Sequence, residues 1–136
     1  MQKQAPYLID FKGIGESSIG FISVAENQQQ VPFDIRRVYW TYYTPESIIR
    51  GRHAHKITEQ LLVAVAGKIT VYTQSPNSEK EEVFVLDTPS KGLYLPPCIW
   101  HTMQYSHNSV QLVLASHEYT ADDYIRNFVD FKNYWK

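Results

Sequence analysis

Cysteine is nearly missing: Cys98 is the only one in 136 residues. No internal disulfide is therefore possible, and a chain of this length must stand on one hydrophobic core. An excess of charge of one sign is missing too. Thirteen Lys and Arg against 14 Asp and Glu leave a formal net charge of −1. That excludes a broad field drawing the protein to nucleic acid or to an anionic membrane, so an anionic ligand would need a local cluster of cations. Long hydrophobic runs are lacking as well. The longest, residues 61–66, is far too short to span a bilayer, and Met1-Gln2-Lys3-Gln4-Ala5-Pro6 has no apolar stretch resembling a signal peptide. The chain reads as cytoplasmic, with neither nucleic acid nor membrane as a partner. With no linker, low-complexity tract or internal repeat, residues 1–136 read as a single domain.

What the sequence has is aromatic and β-rich. Ten tyrosines bring the aromatic content to 14%, and tyrosine suits a wet pocket because its ring stacks while its hydroxyl bonds. Short β-rich runs cover residues 7–12, 21–26, 35–43, 53–57, 60–66, 69–74, 82–87, 92–95, 100–105 and 110–116. Turn chemistry separates them, as at Gly67-Lys68, Ser75-Pro76-Asn77-Ser78 and Pro89-Ser90-Lys91-Gly92. Many short strands at this spacing predict a sandwich or barrel. One helix is predicted over 121–131, with Thr120 as N-cap and Asp122 and Asp123 in the first turn, where the helix dipole favours anions.

The stretch Arg50-Gly51-Arg52-His53-Ala54-His55 is the most informative. Side chains alternate along a strand, so His53 and His55 share a face and can bind a metal or move protons together. Metal-binding β-barrels of this pattern place a carboxylate five residues after the second histidine and a glycine seven further on. Here Gly67 keeps the spacing, but the carboxylate slot holds Gln60, a poor ligand for a divalent ion. A second half-motif runs from Gly92 through Pro96 to His101, with Cys98 in a slot where such barrels have glycine. The two half-motifs point to an all-β cupin, a double-stranded β-helix or jelly-roll barrel, with one short C-terminal helix. Residues 35–43 put Arg37, Tyr39, Thr41 and Tyr43 on one face and Arg36, Val38, Trp40 and Tyr42 on the other; alternation leaves open which face is inward. Arg50, Arg52 and Lys56 flank the histidines, and guanidinium groups suit phosphates through paired hydrogen bonds.

Arg37-Val38-Tyr39, Arg50-Gly51-x-His53-Ala54-His55-Lys56, Glu59-Gln60, Gly92-Leu93-Tyr94, Trp100-His101, Leu114-Ala115-Ser116 and Asp123-Tyr124-Ile125-Arg126 together resemble the sugar 3,4-ketoisomerase family. These are cupins acting on dTDP-4-keto-6-deoxy-D-glucose. The likeness runs over nearly the whole chain. It implies a metal-independent isomerase, without cofactor, that moves a keto group from C4 to C3 in making dTDP-3-amino-3,6-dideoxy sugars. It also implies a homodimer that exchanges N-terminal strands. One departure stands out: the family's Asp-x-Arg-Gly turn is replaced here by Glu16-Ser17-Ser18-Ile19.

Histidine titrates near neutrality and can take and return a proton within one turnover. The expected catalytic groups are His55 as principal base and acid, His53 as relay (the two roles could be exchanged), and Tyr39 on the reacting oxygens. Arg50 and Arg37 are expected to bind diphosphate or steady the enolate. Gln60, His101 and Lys56 complete the expected substrate-binding set, with no metal ligand. Competing readings are a metal-dependent cupin using His53, His55 and His101, with Glu59 as carboxylate if the register slips by one, a dTDP-sugar 3,5-epimerase, and a non-catalytic nucleotide-sugar-binding cupin.

Overall fold

The computed structural model describes residues 4–136, so the first three residues of the expected single domain lie outside the described residues. Two five-stranded antiparallel sheets face each other, as expected for the jelly roll. One has the order β1-β9-β6-β11-β4, from Tyr7–Asp10 (β1), Lys91–Leu95 (β9), Gln60–Ala66 (β6), Val110–Ala115 (β11) and Arg37–Tyr42 (β4). The other has the order β12-β5-β10-β7-β8, from Tyr124–Ile125 (β12), Ile49–His55 (β5), Trp100–Tyr105 (β10), Ile69–Gln74 (β7) and Glu81–Leu86 (β8). A separate hairpin pairs Gly13–Glu16 (β2) with Gly20–Ser23 (β3).

The apolar run in β6 follows from its position. Leu62 and Ala64 point between the sheets and join Ile69, Val71, Leu93, Leu95, Met103 and Val113 in the main core. Leu61 and Val63 point the other way, yet are also buried, because Phe11, Val31 and Phe33 cover that face. A strand buried on both faces loses the alternation of a half-exposed one. Each such aliphatic side chain contributes roughly 1.5–3 kcal/mol when fully buried. β4 keeps the alternation: Arg37, Tyr39 and Thr41 are half-buried and face the barrel, while Val38, Trp40 and Tyr42 are exposed. The inward face is therefore the Arg–Tyr face.

The C-terminal segment corrects one expectation. Residues 121–131 are not one helix. Ala121–Asp123 form a single 3₁₀ turn, Tyr124 and Ile125 pair with His55 and Ala54 of β5, and the helix (α1) runs from Phe128 to Tyr134. The Thr120 side chain makes no capping hydrogen bond; Asn127 caps α1, its side chain accepting from the Asp130 N–H at 3.0 Å. Phe131 is fully buried against Ala54 and Ile125, which seats α1 on the outside of the second sheet. No helix of the described residues is long and apolar enough to cross a membrane.

Candidate active site

β5 carries the site, and a bulge aims it. His53 pairs with His101 of β10, but the next pair is Gly51 with Thr102, so Arg52 is the extra residue. Gly51 and Arg52 both have positive φ, at 85° and 59°. Simple alternation would put Arg50 on the face opposite His53. The inserted residue reverses that phase, and Arg50 and His53 line the same small cavity of about 80 Å³ inside the barrel. Its other walls include Tyr39 and Thr41 from β4, Gln60 from β6, His101 and Tyr105 from β10, and Gln111 from β11. Larger grooves elsewhere have volumes of about 610 and 580 Å³, but the first contains no titratable side chain. The small cavity is where the chemistry converges.

Three imidazoles cluster at this cavity: His53 and His101 line it, and His55 packs edge-on against His53. Ring centroids lie 4.6 Å apart for His53 and His101, 5.1 Å for His53 and His55, and 6.0 Å for His55 and His101. Each uses Nδ1 on a neighbouring oxygen: His53 on the Gly51 carbonyl at 3.0 Å, His101 on the Ile99 carbonyl at 3.1 Å, and His55 on Asp123 Oδ2 at 2.9 Å. A carbonyl oxygen only accepts, so Nδ1 of His53 and His101 carries the hydrogen and Nε2 is left with its lone pair. His55 Nε2 is buried and has no hydrogen-bond partner among the described residues.

Burial holds all three rings neutral. It is the largest cause of the fall in His53 to about 4, helped by the neighbouring His55. Burial also lowers His55, and there Asp123 opposes it. His101 is held well below the usual histidine value, first by burial and then by the other two rings. Tyr39 accepts a hydrogen bond from the Gln60 amide at 2.7 Å. Burial raises its hydroxyl to about 12, with Arg37 and Gln60 pulling the other way, so it remains an O–H donor.

Of the two arginines, only Arg50 lines the cavity, and Arg37 lies beside Tyr39. Two guanidinium nitrogens of Arg37, Nε and Nη2, are buried without a partner among the described residues. Its Cζ lies 5.4 Å from the Tyr39 ring centroid, and its charge depresses both Tyr39 and His55. Arg50 is exposed and reaches the far end of the cavity, where its charge opposes the burial that raises Tyr105 to about 12.

Not every expected residue converges. Lys56 follows the last residue of β5, its N–H bonds to the Asp123 carbonyl, and its ammonium lies 5.6 Å from the Tyr134 ring. The chain has left the strand by then, so Lys56 turns to the C-terminal helix rather than to the histidines. Glu59 does not slip into the carboxylate slot either. Its carboxylate accepts from the Tyr94 hydroxyl, on the opposite face of β6 from the cavity. The nitrogen donors of His53, His55 and His101 lie within 4.8 Å of one another. A transition metal there would find three neutral nitrogens, and Gln60 instead of a charged oxygen.

Asp123 and Tyr124 touch the histidines but were not singled out by sequence reasoning. Tyr124 packs 5.0 Å from His53 and 4.4 Å from His55, and Arg126 stacks on it at 4.3 Å. The Asp-Tyr-Ile-Arg string was the available signal, hidden by its likeness to a helix start.

Known proteins share this fold. The family model described as WxcM-like, C-terminal, matches residues 4–136. The TDP-4-oxo-6-deoxy-alpha-D-glucose-3,4-oxoisomerase of Aneurinibacillus thermoaerophilus is 41% identical over 128 residues, covering 93% of this chain and 90% of that protein. The crystal structure of QdtA, a sugar 3,4-ketoisomerase from Thermoanaerobacterium thermosaccharolyticum in complex with TDP, superposes with a TM-score of 0.90 at 35% identity. That match covers 95% of this chain and 93% of that one. The WlaRB TDP-quinovose 3,4-ketoisomerase of Campylobacter jejuni gives a TM-score of 0.89 at 32% identity, covering 96% and 99%. The fold, the histidine-lined barrel and these relatives agree: the chain belongs to the sugar 3,4-ketoisomerase family of cupins and is an isomerase.

Proposed function

We propose that this enzyme converts dTDP-4-keto-6-deoxy-D-glucose into a dTDP-3-keto-6-deoxyhexose, supplying dTDP-3-amino-3,6-dideoxy sugar synthesis in the cytoplasm. The relatives' names support the substrate class. The observation that carries the chemistry is the convergence of the neutral His53 and His101 rings and the protonated Tyr39 hydroxyl on one cavity, with His55 packed against His53. Ketone migration moves one hydrogen from C3 to C4 and another from O3 to O4, through an enediol or enediolate. His55 Nε2 takes the C3 proton, which the C4 carbonyl acidifies, and returns it to C4. His53 and Tyr39 relay the oxygen-bound proton from O3 to O4.

Arg37, with two unpartnered buried N–H groups beside His55, steadies charge developing on the oxygens. Arg50, exposed at the cavity rim, is suited to diphosphate. Gln60 and His101 hold the walls. Lys56 has no part in this assignment. No step calls for a metal or cofactor.

The active species is a dimer exchanging N-terminal strands. Supporting this, the β2–β3 hairpin exposes Ile14, Ile19, Phe21 and Ile22, and β4 exposes Val38, Trp40 and Tyr42. These are apolar faces that a second copy would bury.

Turnover of the purified protein and its His55→Asn and His53→Asn variants on this nucleotide sugar tests the proposal. Positioned acid–base groups contribute about 10²–10⁴-fold, so each variant should lose at least the lower figure while keeping its circular dichroism spectrum. A near-wild-type rate in His55→Asn would end the assignment of His55 as base.

A further inference from the structure

His53 and His101 anchor Nδ1 on carbonyls two residues back along the chain, whereas His55 anchors on a carboxylate 68 residues away. That carboxylate is itself tightly held. Asp123 Oδ2 accepts from both His55 Nδ1 and the Thr58 hydroxyl, and Oδ1 accepts from the Ile57 N–H at 2.7 Å. The Asp123 backbone carbonyl also accepts from the Lys56 N–H at 2.8 Å. Residues 55–58 thus close around one buried carboxylate, and both of its oxygens face donors.

We infer that Asp123 is a positioning residue that locks His55 in the Nδ1–H tautomer, so that its Nε2 is left bare beside the His53 and His101 rings as the proton acceptor. This rests on the reading of His55 as a proton carrier. Thr58 is the second part of the lock, because its hydroxyl fixes the oxygen that His55 uses. The buried, unpartnered Nε2 of His55 is what this arrangement leaves behind. When His55 takes a proton, the carboxylate faces the new imidazolium directly, an advantage that carbonyl-anchored His53 lacks. Burial alone would raise the Asp123 carboxyl, but its hydrogen bonds from Thr58, Ile57 and His55 outweigh that and hold it below its ordinary value.

Asp123→Asn keeps the shape and changes the donor pattern. The Ile57 backbone N–H can only donate, so the amide oxygen must face it and the NH₂ meets His55 and Thr58, which now donate to the carboxylate. His55 is then pushed toward the opposite tautomer. Long-range ¹H–¹⁵N correlation spectra of labelled protein read the tautomer directly. The wild type should show a pyrrole-like Nδ1 and a pyridine-like Nε2 for His55. Asp123→Asn should show a mixed or reversed pattern, with kcat down by about 10²–10⁴-fold and KM changed only slightly. Thr58→Val should lower kcat by a smaller factor.

A wild-type His55 carrying its hydrogen on Nε2 overturns the inference, and needs no variant to fold. An Asp123→Asn protein with the wild-type tautomer, or with wild-type kcat, also overturns it. Wild-type turnover in His55→Asn would instead defeat the reading of His55 as proton carrier, while the tautomer measurement still judges Asp123.

Discussion

The bulge in β5 makes a sharp test, because one added methyl group should upset both stability and catalysis. In Gly51→Ala, the new Cβ would lie 2.9 Å from the His101 carbonyl oxygen and 3.0 Å from the Met103 terminal methyl, at φ +85°. The methionine methyl can swing aside. The carbonyl belongs to the strand that carries His101, so relief means moving backbone. Holding an L-residue at such a positive φ costs about 1–2 kcal/mol, and the contact adds to it, for roughly 2–3 kcal/mol in all. For a chain of this size that corresponds to a fall in Tm of about 6–12 °C. Relaxing the bulge would also rotate Arg50 away from His53, and a displacement of about 1 Å near reacting atoms can cost 10²-fold in rate. Thermal unfolding by circular dichroism measures the first effect. kcat/KM, taken at a temperature well below both melting points, measures the second. A Tm within about 2 °C of wild type together with unchanged kcat/KM would refute the claim that this bulge aims the site.

Four further outcomes are expected. The acid limb of kcat/KM should lie below the ordinary histidine value near 6.5: a base must be neutral to act, and burial lowers His53 to about 4 and also lowers His55. A limb above 6.5 in the pH–rate profile would contradict that. Stability should move the same way. Below about 6.5 the unfolded chain binds protons that buried His53, His55 and His101 resist, so folding free energy falls as pH drops toward their folded-state values, which denaturant titrations at several pH values would detect. Gln60→Leu, which removes the donor to the Tyr39 hydroxyl, should lower kcat about tenfold, read against Tyr39→Phe as the larger loss. Dialysis against EDTA should leave turnover within about twofold, since an unassisted acid–base route needs no Lewis acid; loss of activity restored by a divalent ion would point to the metal-dependent alternative.

Much of the barrel was legible because its strands follow local rules. β6, β7 and β10 agree with the expected runs 60–66, 69–74 and 100–105 to the residue, since apolar runs bounded by Gly67-Lys68 and Ser75-Pro76 leave little choice. β2, with glycines at 13 and 15 and no apolar period, gave no comparable signal. The helix was misplaced because Thr120 and the two aspartates imitate an N-terminus, while the true partners of Asp123 lie 65 to 68 residues away. The histidine pair was legible through strand alternation. The place of Arg50 was not, because one inserted residue reverses the phase without altering composition. Lys56 looked like a ligand group by proximity in sequence alone, and the end of β5 sends it elsewhere.

Ketone migration itself is tested most directly by an NMR time course of EDTA-treated protein with dTDP-4-keto-6-deoxy-D-glucose in D₂O. The account predicts loss of the C4 carbonyl, appearance of a C3 carbonyl, and a hydrogen or deuterium on C4 whose coupling assigns the gluco or galacto product. Deuterium exchange at C3 and C5 with the ketone still at C4 would contradict it and make the protein an epimerase in practice.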